Sequence, residues 1–135
     1  MSAKLKTLYA REIINSRATP TIEAVAILDD GSLGVSSVPS GASVGTYEAL
    51  ELVDNDPLRY LGNGVLTAVG HINGEIAQSL IGVAFGSLAE IDETLIKLDG
   101  TPNKSRLGAN AIIAVSMSMA KAIAASFKMP LYRYL

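Results

Sequence analysis

Several residue types are missing or scarce in this chain of 135 residues, and each absence narrows the chemistry it can perform. It contains no cysteine, which excludes disulfide bonds, thiolate metal sites and cysteine nucleophiles, and which suits a cytoplasmic location. His71 is its one histidine and has no cysteine or carboxylate pair at ligand spacing, so we expect it to have a structural role. Because the formal net charge is only −2, we expect no nucleic-acid partner and no anionic membrane surface.

The chain also lacks an uninterrupted apolar run of membrane-spanning length. Its most apolar stretch, residues 109–127, is broken by Ser116, Ser118 and Lys121, whereas a span needs ~20 apolar residues. We therefore expect a buried helix there and no membrane span. Hydrophobic residues make up 49% of the chain, which is enough for the core of one domain over residues 1–135.

Three β-strands are predicted in the first 38 residues. Residues 5–14 are rich in apolar side chains and residues 21–28 in β-branched ones. Pro20 is expected to break the chain between these two strands because it has no N–H group to donate. The turn Asp29–Ser32 leads into a third strand over residues 33–38. Strands joined by so short a turn run antiparallel, which predicts a three-stranded meander.

Three helices are predicted after the strands. The first has an apolar face at helical spacing, formed by Val65, Val69, Ile72, Ile76 and Leu80. Ser87 and Glu90 form a capping box that begins the second helix, and Gly100 ends it. The third covers about residues 108–127. Strands followed by helices predict an α+β fold, a three-stranded antiparallel β-meander followed by a helical bundle.

A segment rich in glycine and hydroxyl side chains follows the third predicted strand; it reads Val38-Pro39-Ser40-Gly41-Ala42-Ser43-Val44-Gly45-Thr46-Tyr47-Glu48. Its glycines permit close backbone approach, and its serine and threonine hydroxyls can meet a ligand. Hard cations and phosphates are bound by oxygens and by bare N–H groups, and this segment supplies both. The residues alone leave two interpretations open: a mobile loop that handles a ligand, or a surface turn that binds nothing.

The other polar clusters have simpler explanations. The carboxylate pairs Asp29-Asp30, Asp54/Asp56 and Asp92-Glu93 are assigned to a turn, a loop and an exposed helix face. The chain has no GxxxxGK[ST] phosphate loop and no Ser/His/Asp set with a geometric warrant. The residues by themselves therefore predict one candidate ligand-handling loop and no catalytic constellation.

Several short motifs lie in order along essentially the whole chain. They are Ala10-Arg11-Glu12-Ile13, Ser16-Arg17, Pro20-Thr21-Ile22-Glu23, Val38-Pro39-Ser40-Gly41-Ala42-Ser43 with Gly45, Glu48-Ala49, Arg59-Tyr60-Leu61-Gly62, Gly64-Val65, Leu98-Asp99-Gly100-Thr101, Asn103-Lys104-Ser105, Leu107-Gly108-Ala109-Asn110-Ala111-Ile112 and Pro130-Leu131-Tyr132. Together they resemble the N-terminal domain of enolase (phosphopyruvate hydratase). The resemblance implies a meander followed by helices, in a glycolytic lyase that reversibly dehydrates 2-phosphoglycerate to phosphoenolpyruvate with Mg²⁺.

The resemblance also implies that the catalytic and metal-binding groups are distributed over two domains. Enolases carry the base lysine, the acid glutamate and the acidic ligands of the first magnesium on a barrel of ~250 residues, and these 135 residues contain no such barrel. No catalytic residue is expected here, and the isolated chain is expected to be inactive. The N-terminal domain contributes a substrate loop whose second S-G-A-S serine ligates the second magnesium. That metal ligand is Ser43, and the other loop residues are Ser40, Gly41, Ala42 and Gly45.

The resemblance further implies a homodimer or a higher homo-oligomer. Arg17 and Glu23 match positions at the enolase dimer interface that pair across subunits, and the alternative for each is a solvated strand charge. The chain departs from the usual D-S-R-G-N-P pattern by an acid and a glycine, at Asn15 and Ala18, and has Thr19 before the proline. It also departs at Val44, where threonine is usual.

The last residues indicate a longer chain, and two other interpretations stand beside the enolase one. Apolar side chains stand at the very end of the chain, where a tail is usually polar, so we expect more chain to follow. The alternative is a stand-alone, non-catalytic module derived from enolase, which would bind a partner or a phosphate-like ligand through the surface that a barrel would cover. A capping domain of another barrel enzyme of the same superfamily is a third interpretation, and the S-G-A-S and L-D-G-T runs argue against it.

Overall fold

The computed structural model describes residues 4–40 and 45–135, and it contains an antiparallel sheet. Its three strands lie in the order β1 (Leu5–Ile14), β2 (Pro20–Leu28) and β3 (Leu33–Ser37). The predicted meander is confirmed, and β1 has the predicted bounds. Pro20 does not break the sheet as predicted: it begins β2 opposite Ile14 and is buried. A proline is tolerated at the first residue of a strand, where its missing N–H removes little pairing.

The predicted helices are present, and the first is irregular. It consists of α1 (Leu66–His71), a π-helical turn (Ile72–Ile76) and α2 (Ala77–Leu80) in continuous succession. The other helical elements are a 3₁₀ turn at Tyr60–Gly62, α3 (Leu88–Asp99), α4 (Ala109–Ser126) and α5 (Leu131–Tyr134).

The ends of α3 follow the sequence prediction with one change. The Ser87 hydroxyl accepts a hydrogen bond from the Glu90 N–H, and Gly100 ends the helix in the left-handed conformation with φ 73°. The Glu90 carboxylate accepts from the Gly86 N–H at 2.7 Å, whereas a regular capping box would use the N–H of Ser87. The helix therefore begins where predicted, with the reciprocal bond moved back by one residue.

The core lies between the inner face of the sheet and α4. The side chains of Ile22, Val115, Met119 and Ile123 are almost completely buried there. By length and composition α4 could cross a membrane, but 61% of it is buried inside this fold, as expected of a core helix. Its approach to β3 is close because Gly34 has no side chain; a Cβ there would overlap the Ser118 carbonyl oxygen.

A side chain from the helical layer bonds the free edge of β1 at Ala10. Asn73, in the π-helical turn, accepts a hydrogen bond from the Ala10 N–H at 2.7 Å and donates to the Ala10 carbonyl at 3.1 Å. At this one residue the amide pairs the backbone groups that an open edge would leave free.

Candidate functional site

The loop selected from the sequence lies partly outside the described residues. Gly41, Ala42 and Ser43 belong to the part of the chain that is not described, while Ser40 and Gly45 flank it. We call residues 38–40 the first stem and residues 45–53 the second stem. The candidate site consists of these two stems and the residues that hold them.

The first stem is fixed by β2 and by the turn before it. The Val38 N–H donates to the Ile22 carbonyl at 2.9 Å, and the buried Thr21 hydroxyl donates to the Val38 carbonyl at 2.7 Å. The Arg17 guanidinium then donates from Nη2 to the Ser40 carbonyl at 2.8 Å. The backbone is therefore held up to Ser40, whose carbonyl contacts a cation.

The turn that presents Arg17 explains two departures from the family pattern. The Asn15 side-chain oxygen accepts from the N–H groups of Arg17 and Thr19, at 2.9 and 3.0 Å, so it still supplies the acceptor that an acid would supply. Ala18 has φ 57°, in the left-handed region that favours glycine. The turn therefore forms with these residues, with local strain at Ala18.

The second stem is fixed by the helical layer. The Leu50 N–H donates to the Asn103 carbonyl at 2.8 Å, and the Asn110 side-chain amide binds both the N–H and the carbonyl of Leu52 at 3.0 Å each. Gly108, with φ 96°, makes room for this contact, because a Cβ there would lie 2.6 Å from both Asn110 Oδ1 and Leu52 Cβ. The start of α4 therefore positions the chain that returns from the loop.

A pocket of about 260 Å³ opens between the two stems. Its polar lining includes Arg17, Thr19, Thr21, Ser40, Glu51, Asn63 and Asn110. This volume is below the ~300 Å³ at which pockets for drug-sized ligands begin. The pocket is therefore suited to a small polar group or to a single side chain.

A charged network lies beside the pocket and joins β1 to the segment before α1. Both guanidinium Nη atoms of Arg59 donate to the Glu12 carboxylate, Nη1 at 2.9 Å, and the Val65 N–H donates to Glu12 Oε2 at 2.8 Å. The guanidinium holds the pKa of Glu12 below its ordinary value, although partial burial opposes the charge. Arg59 also lies 4.8 Å above the Tyr60 ring centroid.

Asp54 continues this network and has a role that the sequence analysis missed. Its two carboxylate oxygens accept from the N–H groups of Leu66 and Thr67, each at 2.9 Å, so it caps the start of α1 rather than only lying in a loop. Burial works against its charge, but these N–H groups outweigh burial and hold the pKa of Asp54 below its ordinary value. Gly64 leaves space for the network, because its Cβ would lie 2.7 Å from Arg59 Nη1.

The two residues predicted at a dimer interface have partners within the chain. Arg11 Nε donates to Glu23 Oε1 at 2.7 Å across β1 and β2, and Arg17 contacts the Ser40 carbonyl. The structure does not bring Arg17 and Glu23 together. Their pairing across subunits stays a prediction.

For the other polar candidates, one prediction is confirmed, that of a turn at Asp30, and one is wrong, that of an exposed Asp92. Asp30 Oδ1 accepts from the Ser32 N–H at 2.9 Å, as the predicted turn requires. Asp92 is half-buried, not on a fully exposed face as predicted, because its side chain lies between α3 and α4. Within residues 4–40 and 45–135, no group of three or more His, Asp or Glu side chains is placed to hold a metal.

The fold is an antiparallel meander backed by helices. This architecture defines the class as an α+β domain. A family model described as "Enolase, N-terminal domain" matches residues 5–135. The chain belongs to this family, and the resemblance found in its motifs is confirmed.

Three residues that shape the site received no role from the sequence analysis, although all lie in the motifs quoted there. Glu12 and Arg59 are 47 residues apart, so no local spacing connects them. Asn110 carried a usable signal: it is an amide in a first helical turn whose neighbours are apolar. Such a group needs hydrogen-bond partners when the turn is buried, as it is here.

Proposed function

We propose that this chain is the N-terminal domain of a glycolytic enolase, which reversibly dehydrates 2-phosphoglycerate to phosphoenolpyruvate with Mg²⁺. The match of residues 5–135 to the enolase N-terminal domain, together with the S-G-A-S run at residues 40–43, carries the proposal. In this role the domain supplies the loop that covers the substrate. Contacts to Ser40 and Leu52 support that role, since loops that carry function are positioned by a rigid scaffold.

Ser43 is the proposed Mg²⁺ ligand, through its hydroxyl and carbonyl oxygens, and it lies outside the described residues. The donor chemistry fits, because Mg²⁺ prefers oxygen ligands. When bound, the metal would stabilise negative charge on the substrate as a proton leaves. Within the described ranges no cluster of three or more acidic or histidine side chains could complete the site. As the resemblance implies, we propose that the remaining ligands and the proton-transfer groups belong to a barrel domain and that the isolated chain is inactive.

The outer face of the sheet is the proposed homodimer surface. Tyr9, Leu33 and Val35 expose 46%, 52% and 39% of their surface on this face. The Arg11–Glu23 ion pair lies beside Tyr9 and Val35, and interfaces combine such an apolar centre with a polar rim. A cytoplasmic location accompanies this function, which the absence of cysteine suits.

The test is a chimaera in which this chain replaces the N-terminal domain of a characterised enolase. We expect Mg²⁺-dependent formation of phosphoenolpyruvate, and we expect Ser43→Ala to lower kcat by roughly 10²-fold or more. Ser79→Ala is the control, because its hydroxyl bonds the Glu75 carbonyl in its own helical layer. A folded chimaera without turnover would contradict the proposed function. Turnover by the purified chain alone would contradict its inactivity.

A further inference from the structure

A second concavity lies between α3 and α4 and reaches the second stem at Ala49. It has a volume of about 320 Å³, and most of its wall is apolar. We call it the α3–α4 groove; it is lined by Ala49, Asp92, Ile96, Lys104, Ala109, Ile112, Ile113 and Ser116. Neither the loop nor the proposed dimer surface uses it.

Asp92 is an unusual member of this apolar wall. Its Oδ1 atom is shielded from solvent and receives no hydrogen bond from any described residue. Lys104 lines the same groove, but its ammonium group donates to the Pro102 carbonyl at 3.3 Å. One carboxylate oxygen shielded from water without a donor is unfavourable, so a cation that entered the groove would be attracted to the Asp92 carboxylate.

We propose that the α3–α4 groove receives a lysine or arginine side chain carried by an apolar segment of another polypeptide. The aliphatic stem of such a side chain matches the apolar wall, and its charged head is complementary to Asp92. Ile96 and Ile113 expose 47% and 44% of their surface at the groove, where apolar neighbours of the docked residue can cover them. This inference does not depend on the proposed function, because it concerns a different surface and can be tested on this chain alone.

To test this proposal, the isotope-labelled chain is titrated with three probes. The affinity of each probe is measured from the amide and methyl NMR signals of the groove residues. The probes are n-butylammonium, n-butanol and the peptide acetyl-Leu-Lys-Leu-amide. We expect butylammonium to bind more tightly than butanol, and the peptide to bind roughly tenfold more tightly than butylammonium because its leucines cover further apolar surface. In Asp92→Asn, we expect the affinity for both cationic probes to fall roughly fivefold.

Glu93→Gln is the matched control, since it removes one exposed carboxylate from the neighbouring position of the same helix and is expected to leave binding unchanged. Asp92→Asn is also expected to raise Tm by about 2–5 °C, because it removes an unpaired charge. Butanol binding as well as butylammonium, or Asp92→Asn binding like the wild type, would overturn the proposal. Butylammonium binding as tightly as the peptide would indicate a small-amine site and would overturn it as well. A fall in Tm for Asp92→Asn would show that Asp92 is already paired.

Discussion

Two regions of the chain are held in place by different forces. One is the interface between the sheet and α4, and the other is the segment Asp54–Gly64. At the interface, side chains such as Ile22 and Val115 are completely buried, and position follows from apolar packing. In the segment, Leu58 and Leu61 are 95% and 91% exposed, so burial cannot fix the backbone.

The segment is instead held by charge and hydrogen bonds. Tyr60 and Leu61 have φ 49° and 53°, in a region that is unfavourable for bulky residues. The contacts of Arg59 with Glu12 and of Asp54 with α1 keep this strained backbone in place. The comparison predicts that the packed interface is most sensitive to changes of side-chain volume, and that the segment is most sensitive to the loss of a charged or hydrogen-bonding group.

The largest expected effect is at the packed interface. Gly34→Ala places a methyl group against the backbone of α4, where Ser118 and Ala122 cannot yield without shifting the helix. We expect a loss of roughly 3 kcal/mol or more in the free energy of unfolding, measured by urea denaturation. Ser37→Ala, at an exposed position of the same strand, is the control. An unchanged stability for Gly34→Ala would show that the helix does not approach the strand so closely.

The next effect concerns the charged network. Glu12→Gln weakens the bonds to Arg59 and the Val65 N–H while keeping the shape of the side chain, and we expect a loss of roughly 2 kcal/mol at neutral pH. Glu75→Gln breaks a more exposed pair with Arg106 and is expected to change stability much less. Equal losses in the two variants would show that the Glu12–Arg59 network stabilises the fold no more than an exposed ion pair does.

Glu12→Gln also tests how the stability of the fold depends on pH. The pKa of Glu12 is lower in the folded chain than its ordinary value of 4.5, so its contribution to stability is present above that value. The contribution is lost as the pH falls through the lowered pKa. We therefore expect the stability difference between wild type and Glu12→Gln to shrink as the pH falls below 4.5, measured by denaturation at a series of pH values. A difference that stayed constant with pH would contradict this assignment.

A smaller effect is expected where the helical layer holds the second stem. Asn110→Ala removes both hydrogen bonds to Leu52, and we expect a loss of about 1 kcal/mol. Hydrogen exchange should accelerate at the Leu52 amide more than at the Val38 amide, which is held by β2. Exchange at Leu52 that did not change would show that the stem is held by other contacts.

The smallest effect has the opposite sign. Gly70 lies in α1, and a Cβ added there would meet no heavy atom of another element within 4 Å, so Gly70→Ala is expected to gain ~0.5–1 kcal/mol through helix propensity. Gly31→Ala is the matched control: its surroundings are equally open, but its φ of 86° is unfavourable for alanine. We expect it to lose stability. A gain in both variants, measured by urea denaturation, would mean that backbone conformation does not decide the outcome.

The elements that could be predicted are those in which local pattern and burial agree. The apolar content of residues 5–14 predicted β1 with its observed bounds, and the Ser87 cap with Gly100 predicted α3. Among the carboxylates, the placement of Asp92 on an exposed helix face was wrong, whereas Asp54 lies in a loop as predicted and only its capping role was missed. Asp54 and Asp92 look alike in the sequence, yet one caps α1 and the other lies in an apolar groove. Their environments come from residues far away along the chain, which no local spacing reveals.

The sequence by itself determined the α+β class, the order of strands and helices, and the enolase family, because these depend on periodicity, turn residues and motifs that are local in the chain. Only the tertiary structure decided which polar residues act together. The contacts of Arg17 with Ser40, Glu12 with Arg59 and Asn110 with Leu52 join positions 23, 47 and 58 residues apart. Such pairs form only when packing has brought their elements together, since hydrogen bonds act over a few ångströms.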